Sequence, residues 1–401
     1  MNDDFSRMEK LSTYLKFSLG TLLTIGVIMV YSASYMYAKE NFGNSGYFFI
    51  KQLIFAAIAL GVAFVVSRTK YKFWLKFSLF INSAATFLLF LTFVPGLRTV
   101  AKGANRWLNF AGVTVQPGEL IKYTILLVAI VFFENFEKFD RNTRIKYAVS
   151  LCLPFLLLIL QPDFGTFSIC FFSISFVCFL SSFPRKYFYS SFIAGLFIGC
   201  AVLVAAPYRL KRLLTFLDPW ANAQGSGFQI IQSWIGFANG GFFGTGPGNS
   251  IEKLFYLPEA HNDFIFSVIG EEFGFLGVMS IALLFLFLIY AGFSLSLKVK
   301  MREGSILMAT IIFVVGIQGA LNMGVVLGLL PTKGLNLPFI SYGGSSLLGN
   351  LFGIGLFFAV LRSYREKTTS SYSDNNIFNP TSGHSSSFQT PTNQASSSFT
   401  R

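Results

Sequence analysis

The chain has 401 residues, of which 53% are hydrophobic and only 12% are charged. Its mean hydropathy is +0.59. Soluble globular proteins carry roughly 25% charged residues, so the composition excludes that class and indicates an integral membrane protein. The net charge of +13 does not indicate nucleic-acid binding, because the lysines and arginines are scattered in short clusters between apolar runs.

Apolar segments long enough to cross a bilayer recur along the chain. The predicted spans cover residues 12–34, 48–67, 73–94, 117–134, 147–162, 164–183, 187–207, 264–297, 305–330 and 345–362. The first span ends in small residues similar to a signal-peptidase site, but the many runs of comparable length after it favour a retained helix over a cleaved signal peptide. The sequence therefore predicts an all-α integral membrane protein with about ten transmembrane helices.

Basic residues gather in alternate loops. These loops are RTKYK (68–72), PRK (184–186), KVKMR (298–302) and, after the last span, RSYREK (362–367). The positive-inside rule places this side and both termini in the cytoplasm. The loops predicted on the outer side are 35–47, 95–116, 208–263 and 331–344. A large extracytoplasmic loop therefore joins predicted helices 7 and 8.

The C-terminal segment differs from the rest of the chain. Residues 368–401 are rich in Ser, Thr and Asn and show almost no apolar periodicity. Such a segment cannot bury enough apolar surface to offset the entropy of ordering. We predict a polytopic membrane domain over residues 1–367 and a disordered cytoplasmic tail over residues 368–401.

Acidic residues cluster in one predicted outer stretch. The chain has only 18 acidic residues, yet YLPEAHNDFIFSVIGEEFG (256–274) contains Glu259, Asp263, Glu271 and Glu272. Glu259 and Asp263 are four residues apart and would share one helical face. One interpretation is the ordinary preference of acidic residues for a helix N-terminus. The other is a functional site, because His261, the only histidine before the tail, lies between them.

Several basic residues are predicted on the outer side, where the positive-inside rule disfavours them. They are Arg106, Arg209, Lys211, Arg212 and Lys333. A solvated loop charge explains each of them taken singly. Together they indicate an anionic ligand at the outer leaflet, and phosphate is the natural partner of arginine and lysine.

Three ionisable residues lie at membrane depth. Glu119 and Lys122 are three residues apart at the start of the fourth predicted span, and Asp163 lies in a hairpin too short to leave the membrane region. Ionisable groups at such depth are costly and usually functional. The alternative is a Glu119–Lys122 pair that only stabilises packing.

The glycine-rich segment GTGPGNS (244–250) has some likeness to a phosphate-binding loop. It lacks the G-K-[ST] ending of a P-loop, and it is predicted on the side away from cytoplasmic ATP. We interpret it as a close-packing turn, with a backbone contact to a substrate phosphate as the alternative.

Seven motifs occur in order along the ten predicted spans. They are GANRW, QPGELIK, QPDFGT, GSGFQIIQS, GPGNS, LPEAHNDFIFSVIGEEFG and LPTKGLNLPFISYGGSS. Over about residues 12–366 this series resembles the SEDS family (shape, elongation, division and sporulation), and PEAH and PTKG resemble its division branch. The resemblance implies a peptidoglycan glycosyltransferase that polymerises lipid II on the outer face of the bacterial cytoplasmic (inner) membrane. It also implies a division septum location and a class B penicillin-binding transpeptidase and other division proteins as partners.

The resemblance also assigns roles to residues. It implies that Asp263 is the catalytic aspartate, and that the other sensitive positions are Arg106, Glu119, Lys122, Asp163, Glu259 and Lys333. Asp263 would take the proton from an acceptor sugar hydroxyl, and basic side chains would hold the leaving undecaprenyl diphosphate in an inverting transfer. The predicted substrate-binding residues are Arg106, Glu119, Lys122, Asp163, Arg209, Arg212, Glu259, His261 and Lys333. No cofactor is firmly implied, and a magnesium or manganese ion bridging Asp263 and the diphosphate is an alternative.

Other functions stay open at this point. A lipid II transporter would need ionisable residues spread through the bilayer, whereas the polar motifs here gather toward the outer face. A pure scaffold for the transpeptidase would leave the carboxylates of residues 256–274 without a purpose. An elongation-branch polymerase would carry out the same chemistry in a different process.

Overall fold

The computed structural model describes residues 2–101, 104–110, 113–204, 213–225, 227–258 and 260–377. The α-helices are α1 (Asn2–Phe42), α2 (Tyr47–Arg68), α3 (Tyr71–Lys76), α4 (Ser78–Leu91), α5 (Pro117–Glu134), α6 (Arg141–Leu160), α7 (Phe164–Leu180), α8 (Arg185–Val204), α9 (Phe228–Gly240), α10 (Ile265–Lys298), α11 (Arg302–Val326) and α12 (Gly344–Ile377). The strands are β1 (Arg98–Ala101), β2 (Ala104–Phe110) and β3 (Val113–Val115). Each predicted span overlaps a helix, which confirms the helical membrane fold.

Hydropathy explains which of these helices can cross a bilayer. Among the described residues, six are long and apolar enough to do so: α1, α2, α6, α10, α11 and α12. Helices α4 and α7 are apolar but shorter, and α5 carries ionisable residues that lower its hydropathy. The third predicted span is divided between the short α3 and α4. The assignment of the two faces to cytoplasm and exterior stays a prediction.

Helix α5 lies at the centre of the bundle. It packs against α4, α6, α7, α11 and α12, and most of its residues are buried. Two glycines of α12 allow this helix to approach α5 closely. A Cβ on Gly353 would lie 2.3 Å from the Tyr123 ring, and one on Gly349 would lie 2.7 Å from the Glu119 carbonyl oxygen. Small residues let membrane helices pack backbone against backbone in this way. Glu119 and Lys122 of α5 are therefore enclosed by protein.

The predicted outer loop 95–116 contains a small antiparallel sheet of order β1-β2-β3. Leu108 of β2 pairs with Arg98 on one side and Val115 on the other. The sequence analysis did not predict this sheet, because hydropathy detects long apolar runs and these strands are short. Aromatic and β-branched residues in β2 and β3 favour the extended conformation. The sheet carries Arg106 and leads directly into α5.

Helix α10 is broken at Gly274, whose φ of 64° and ψ of −159° are not helical. The carbonyls of Glu271 and Glu272, before the break, accept hydrogen bonds from the backbone amides of residues 245 and 246 at 2.9 and 3.0 Å. The amides of residues 275 and 276, after the break, donate to the carbonyls of residues 241 and 242 at 2.9 and 3.3 Å. The segment 241–246 thus supplies the partners that the broken helix lacks.

These backbone hydrogen bonds explain why the segment is rich in glycine. A Cβ on Gly244 would lie 2.2 Å from the Glu272 carbonyl oxygen, and one on Gly274 would lie 2.4 Å from the Gly244 nitrogen. Both glycines also have positive φ. The contacts support the close-packing interpretation of GTGPGNS over a phosphate contact for the amides of residues 245 and 246.

The last helix is longer than predicted. Helix α12 continues to Ile377, beyond the boundary predicted at residue 367. The predicted disordered tail overlaps this helix over residues 368–377. Residues 378–401 lie outside the described residues, so disorder there stays a prediction.

Candidate active site

Asp263 lies in the turn that immediately precedes α10. Its backbone carbonyl accepts a hydrogen bond from Asn322 Nδ2 of α11 at 2.8 Å. Its side chain is half-buried, and Oδ2 lies beside Gly334, where an added Cβ would be only 3.1 Å away. The missing side chain at residue 334 therefore leaves room for the carboxylate against the segment that carries Lys333.

Lys333 lies in the segment 331–336, which connects α11 to α12. Its Nζ lies 4.9 Å from the centroid of the Phe164 ring at the start of α7. An aromatic face at this distance attracts a cation. Burial lowers the pKa of Lys333 from its ordinary value, because desolvation disfavours the ammonium form. The segment thus brings a partly desolvated cation into the neighbourhood of Asp263.

Arg106 approaches the same region from β2. Its guanidinium donates to the carbonyl of Pro162, in the hairpin between α6 and α7. The Arg106 side chain is half-buried. The Pro162 hairpin leads directly into Phe164, the residue that Lys333 contacts. Arg106 and Lys333 therefore converge on the beginning of α7.

Asp163 caps the N-terminus of α7. Its Oδ1 accepts from the Thr166 amide at 3.2 Å, and its Oδ2 accepts from Thr166 Oγ1 at 2.8 Å. Gln116 Nε2 lies 3.4 Å from Oδ2 as well. A carboxylate in this position satisfies backbone amides that the helix leaves unpaired. The geometry favours a structural role for Asp163 over the predicted role in substrate binding.

Glu119 and Lys122 form a buried ion pair beneath these loops. Lys122 Nζ lies 2.5 Å from Glu119 Oε2, and the two side chains are 0% and 7% exposed. Lys122 also donates to Gln318 Oε1 of α11 at 2.6 Å. These contacts support the packing interpretation. Gln318 in turn connects the pair to the segment 331–336, because its Nε2 donates to the Asn336 carbonyl.

Sequence reasoning missed two carboxamide residues of α11, Gln318 and Asn322. Gln318 Nε2 donates to the Asn336 carbonyl at 2.9 Å, and Asn322 Nδ2 donates to the Leu335 carbonyl at 2.6 Å. Both side chains are buried. The available signal was a pair of carboxamides one helical turn apart in an otherwise apolar span.

His261 lies in an aromatic environment. Its ring centroid is 4.6 Å from that of Phe48, 5.6 Å from that of Tyr37 and 5.8 Å from that of Tyr342. Its carbonyl accepts a hydrogen bond from the Tyr342 amide at 3.0 Å. This placement favours a packing role for His261, which joins α1, α2 and the segment before α12, over the predicted role in substrate binding.

The end of the acidic stretch forms a separate buried cluster, the Glu272 cluster, which consists of Ser32, Lys253, Glu271 and Glu272. Lys253 Nζ lies 2.7 Å from Glu272 Oε1, and each side chain is 1% exposed. Ser32 Oγ of α1 donates to the same oxygen at 2.6 Å. Glu271 accepts from the Ile251 amide at 2.9 Å. The cluster therefore ties the turn at residues 250–256 to α1 and α10.

Four of the charged residues that the sequence analysis placed on the outer side lie outside the described residues. They are Arg209, Lys211, Arg212 and Glu259. Within the part of the chain that the structure describes, no group of three or more His, Cys, Asp and Glu side chains could hold a metal ion. A divalent cation at Asp263 stays a prediction.

Asp263, Lys333 and Arg106 thus meet where α6 ends, α7 and α10 begin and α11 leads into the 331–336 segment. A carboxylate in this setting can accept a proton from a hydroxyl group. The ammonium and guanidinium groups can hold an anionic ligand such as a diphosphate. The arrangement suits transfer of a group that departs with negative charge.

Comparisons with known proteins cover nearly the whole described bundle. A family model described as "Cell cycle protein", which combines FtsW, RodA and SpoVE, matches residues 13–366. A protein of Geobacter sulfurreducens named "Probable peptidoglycan glycosyltransferase FtsW" is 40% identical over 84% of this chain and 91% of its own. "Stage V sporulation protein E" of Bacillus subtilis is 37% identical over 86% of this chain and 95% of its own.

Solved structures share the fold. One chain, from a structure described as "Structural coordination of polymerization and crosslinking by a peptidoglycan synthase complex", superposes with a TM-score of 0.69 and 26% identity, over 87% of this chain and 97% of its own. The rod shape determining protein RodA of Thermus thermophilus superposes with a TM-score of 0.63 and 24% identity, over 87% of this chain and 96% of its own. The likeness to RodA shows the fold alone.

Proposed function

Because the chain belongs to the FtsW, RodA and SpoVE family of cell cycle proteins, we propose that it is a peptidoglycan glycosyltransferase of a bacterial cytoplasmic membrane. Its substrate in this proposal is lipid II, which it polymerises into glycan strands on the outer face. The observation that carries the proposal is the position of the Asp263 carboxylate beside Gly334, the neighbour of Lys333. Acid–base chemistry and anion binding are both available there.

The proposed reaction is one displacement at the anomeric carbon of a lipid-linked sugar. Asp263 accepts the proton of the acceptor hydroxyl as its oxygen forms the new glycosidic bond. The bond from the anomeric carbon to undecaprenyl diphosphate breaks, and the anomeric configuration inverts. Lys333 and Arg106 stabilise the negative charge that develops on the diphosphate. The polyprenyl tail stays in the bilayer beside the bundle throughout.

The proposal includes a role in cell division and a partner. A relative that is 40% identical carries the name of the division protein FtsW, which supports the division branch over the elongation branch. The solved chain with a TM-score of 0.69 comes from a peptidoglycan synthase complex that coordinates polymerization and crosslinking. This supports a class B penicillin-binding transpeptidase as the partner here, with the division septum as the place of action.

The test is polymerisation of labelled lipid II by purified Asp263→Asn protein. Removal of a general base costs about 10²- to 10⁴-fold in rate, so glycan strands should nearly vanish. Membrane insertion and the melting temperature should persist, because the substitution keeps the shape of a half-buried side chain.

Asp218→Asn is the matched control. Asp218 lies in the same predicted outer loop, is exposed, and accepts a hydrogen bond from the Ala221 amide at 3.1 Å, which an asparagine oxygen can also accept. We expect it to retain activity. Glu271→Gln would be a poor control, because Glu271 is completely buried and hydrogen-bonded. Near-normal product from Asp263→Asn would refute the mechanism, and loss of lipid II movement across vesicles instead would support the transporter.

A further inference from the structure

Asn322 makes contacts that the proposed reaction does not yet use. It lies on α11 and is 1% exposed. Its Nδ2 donates one hydrogen bond to the Asp263 carbonyl at 2.8 Å and another to the Leu335 carbonyl at 2.6 Å. One amide group therefore joins the turn that carries Asp263 to the segment that carries Lys333.

The neighbouring contacts hold this junction rigidly. Gln318, one turn earlier on α11, donates to the Asn336 carbonyl at 2.9 Å and accepts from Lys122 at 2.6 Å. The carbonyls of residues 335 and 336 are thus both bound to side chains of the same helix. Since a helix fixes the separation of residues one turn apart, α11 fixes the course of the 331–336 segment.

The two carbonyls that share Asn322 lie close to the reacting charges. Leu335 is two residues from Lys333, and Gly334 between them lies against Asp263 Oδ2, within 3.1 Å of an added Cβ. A shift of either segment would change the distance between the carboxylate and the ammonium. Asn322 donates to one backbone carbonyl in each segment, so it acts on the two charged groups through the backbone.

We propose that Asn322 is a positioning residue that sets the spacing between Asp263 and Lys333. This inference rests on the proposed function, in which these residues are the base and a diphosphate-binding cation. In the transition state both groups must act on one displacement, so their spacing affects the rate of the chemical step more than ground-state binding. A misplacement of about 1 Å can cost on the order of 10²-fold.

The experiment uses purified full-length Asn322→Leu, which keeps the approximate side-chain volume and removes the amide donor. We expect kcat for lipid II polymerisation to fall by about 10- to 100-fold, with KM within about twofold of wild type. Hydrogen exchange should become faster in peptides that cover residues 261–264 and 331–336, because both carbonyl contacts are lost.

Asn82→Leu is the matched control. Asn82 of α4 is 0% exposed, and its Nδ2 donates to the Ser150 carbonyl at 2.8 Å and to Ser150 Oγ at 3.0 Å. The variant therefore loses two donor contacts to α6, together with the hydrogen bond that Asn82 Oδ1 accepts from Thr124 Oγ1 at 3.0 Å, and these contacts involve neither site segment. We expect kcat within about twofold of wild type, and no change in hydrogen exchange at residues 261–264. Equal losses of kcat in the two variants would overturn the inference.

A double-mutant cycle separates positioning from general stability. If Asn322 acts by placing Lys333, Lys333→Met should reduce kcat less in the Asn322→Leu protein than in the wild type. Independent, multiplicative losses would contradict the proposal. If Asn322→Leu does not accumulate, Asn322→Ser serves instead, since its single hydroxyl can donate to only one of the two carbonyls, and the same loss of kcat is expected.

The outcomes also separate this inference from the proposed function. Absence of polymerisation by the wild-type protein would refute the function. Normal polymerisation by Asp263→Asn would refute Asp263 as the base, and with it any base for Asn322 to position. An inactive Asp263→Asn protein together with normal kcat in Asn322→Leu would leave the function supported and refute the positioning role alone.

Discussion

The Glu272 cluster and the Asp263–Lys333 region both include acidic residues of the stretch 256–274, yet their charges are held differently. In the Glu272 cluster, Lys253 and Glu272 are 1% exposed and contact each other directly. In the other region the side chains of Asp263 and Lys333 are both half-buried. Asn322 donates to the backbone carbonyl of Asp263 rather than to the Asp263 carboxylate. A charge in an apolar chain is therefore not by itself a sign of catalysis. The contacts of its side chain and its backbone decide which role it has.

The largest expected effect comes from breaking the Glu272 cluster. Lys253→Met leaves a buried carboxylate without its ammonium partner, and such a loss costs about 3–5 kcal/mol of folding free energy. We expect little folded protein after purification and a much lower melting temperature. Polymerisation per folded molecule should be unchanged, because the cluster serves architecture.

The double variant Lys253→Met, Glu272→Gln sharpens this result. It removes both charges of the 2.7 Å pair, so the desolvation penalty of an unpaired carboxylate disappears. Its melting temperature should recover toward that of the wild type. A single variant as stable as the wild type would show that the pair does not hold the turn at residues 250–256.

Lys333→Met should lower activity and leave stability unchanged, the opposite of what we expect for Lys253→Met. Removal of one group that stabilises developing negative charge costs about 10²- to 10³-fold in kcat, while the melting temperature should stay unchanged. Lys300→Met, an exposed lysine in a predicted cytoplasmic loop, is the control and should retain activity. Burial lowers the pKa of Lys333, so activity should decline on the alkaline side at a pH below the ordinary lysine value of 10.5. A Lys333→Met protein with normal kcat would remove the lysine from the proposed diphosphate site.

The smallest effect concerns Glu252, which lies beside the Glu272 cluster. Burial, and then the negative charge of Glu271, raise the pKa of Glu252 from 4.5 to about 7. The folded protein therefore binds this proton more tightly than the unfolded chain, and the resulting stability is complete below pH 4.5 and is lost as pH rises through about 7. We expect the melting temperature to fall by a few degrees between pH 5 and pH 8, an order-of-magnitude expectation. Glu252→Gln should flatten this dependence, and equal pH slopes in the two proteins would contradict it.

The sequence predicted the spans well because bilayer-crossing helices depend on a local property, the length of an apolar run. Each predicted span overlaps a helix, although the third span is divided between α3 and α4, and α12 extends beyond the last predicted span. The small sheet at residues 98–115 was missed because three short strands leave no such signal. The sequence also singled out Asp263, Lys333 and Arg106, and their roles in catalysis and anion binding stay predictions.

The roles of individual charged residues could not be predicted, because they depend on partners distant in sequence. Asp163 is a helix cap only because Thr166 and Gln116 reach it, and Glu272 is structural only because Lys253 and Ser32 do. Asn322 of α11 joins residues 263 and 335, which are 72 positions apart in the sequence. Pattern along the chain carries no information about contacts of this kind.

The break at Gly274 also bears on the membrane depth at which the proposed reaction would take place. Helix α10 has 34 residues, about 51 Å at 1.5 Å per residue, whereas the hydrocarbon core of a bilayer is about 30 Å thick. The part after Gly274 is about 36 Å long, which matches a moderately tilted crossing. The nine residues before the break, 265–273, can then lie among the lipid headgroups, with Asp263 just ahead of them. A diphosphate linked to a lipid is held at that same level, so the substrate need not leave the bilayer to reach the carboxylate.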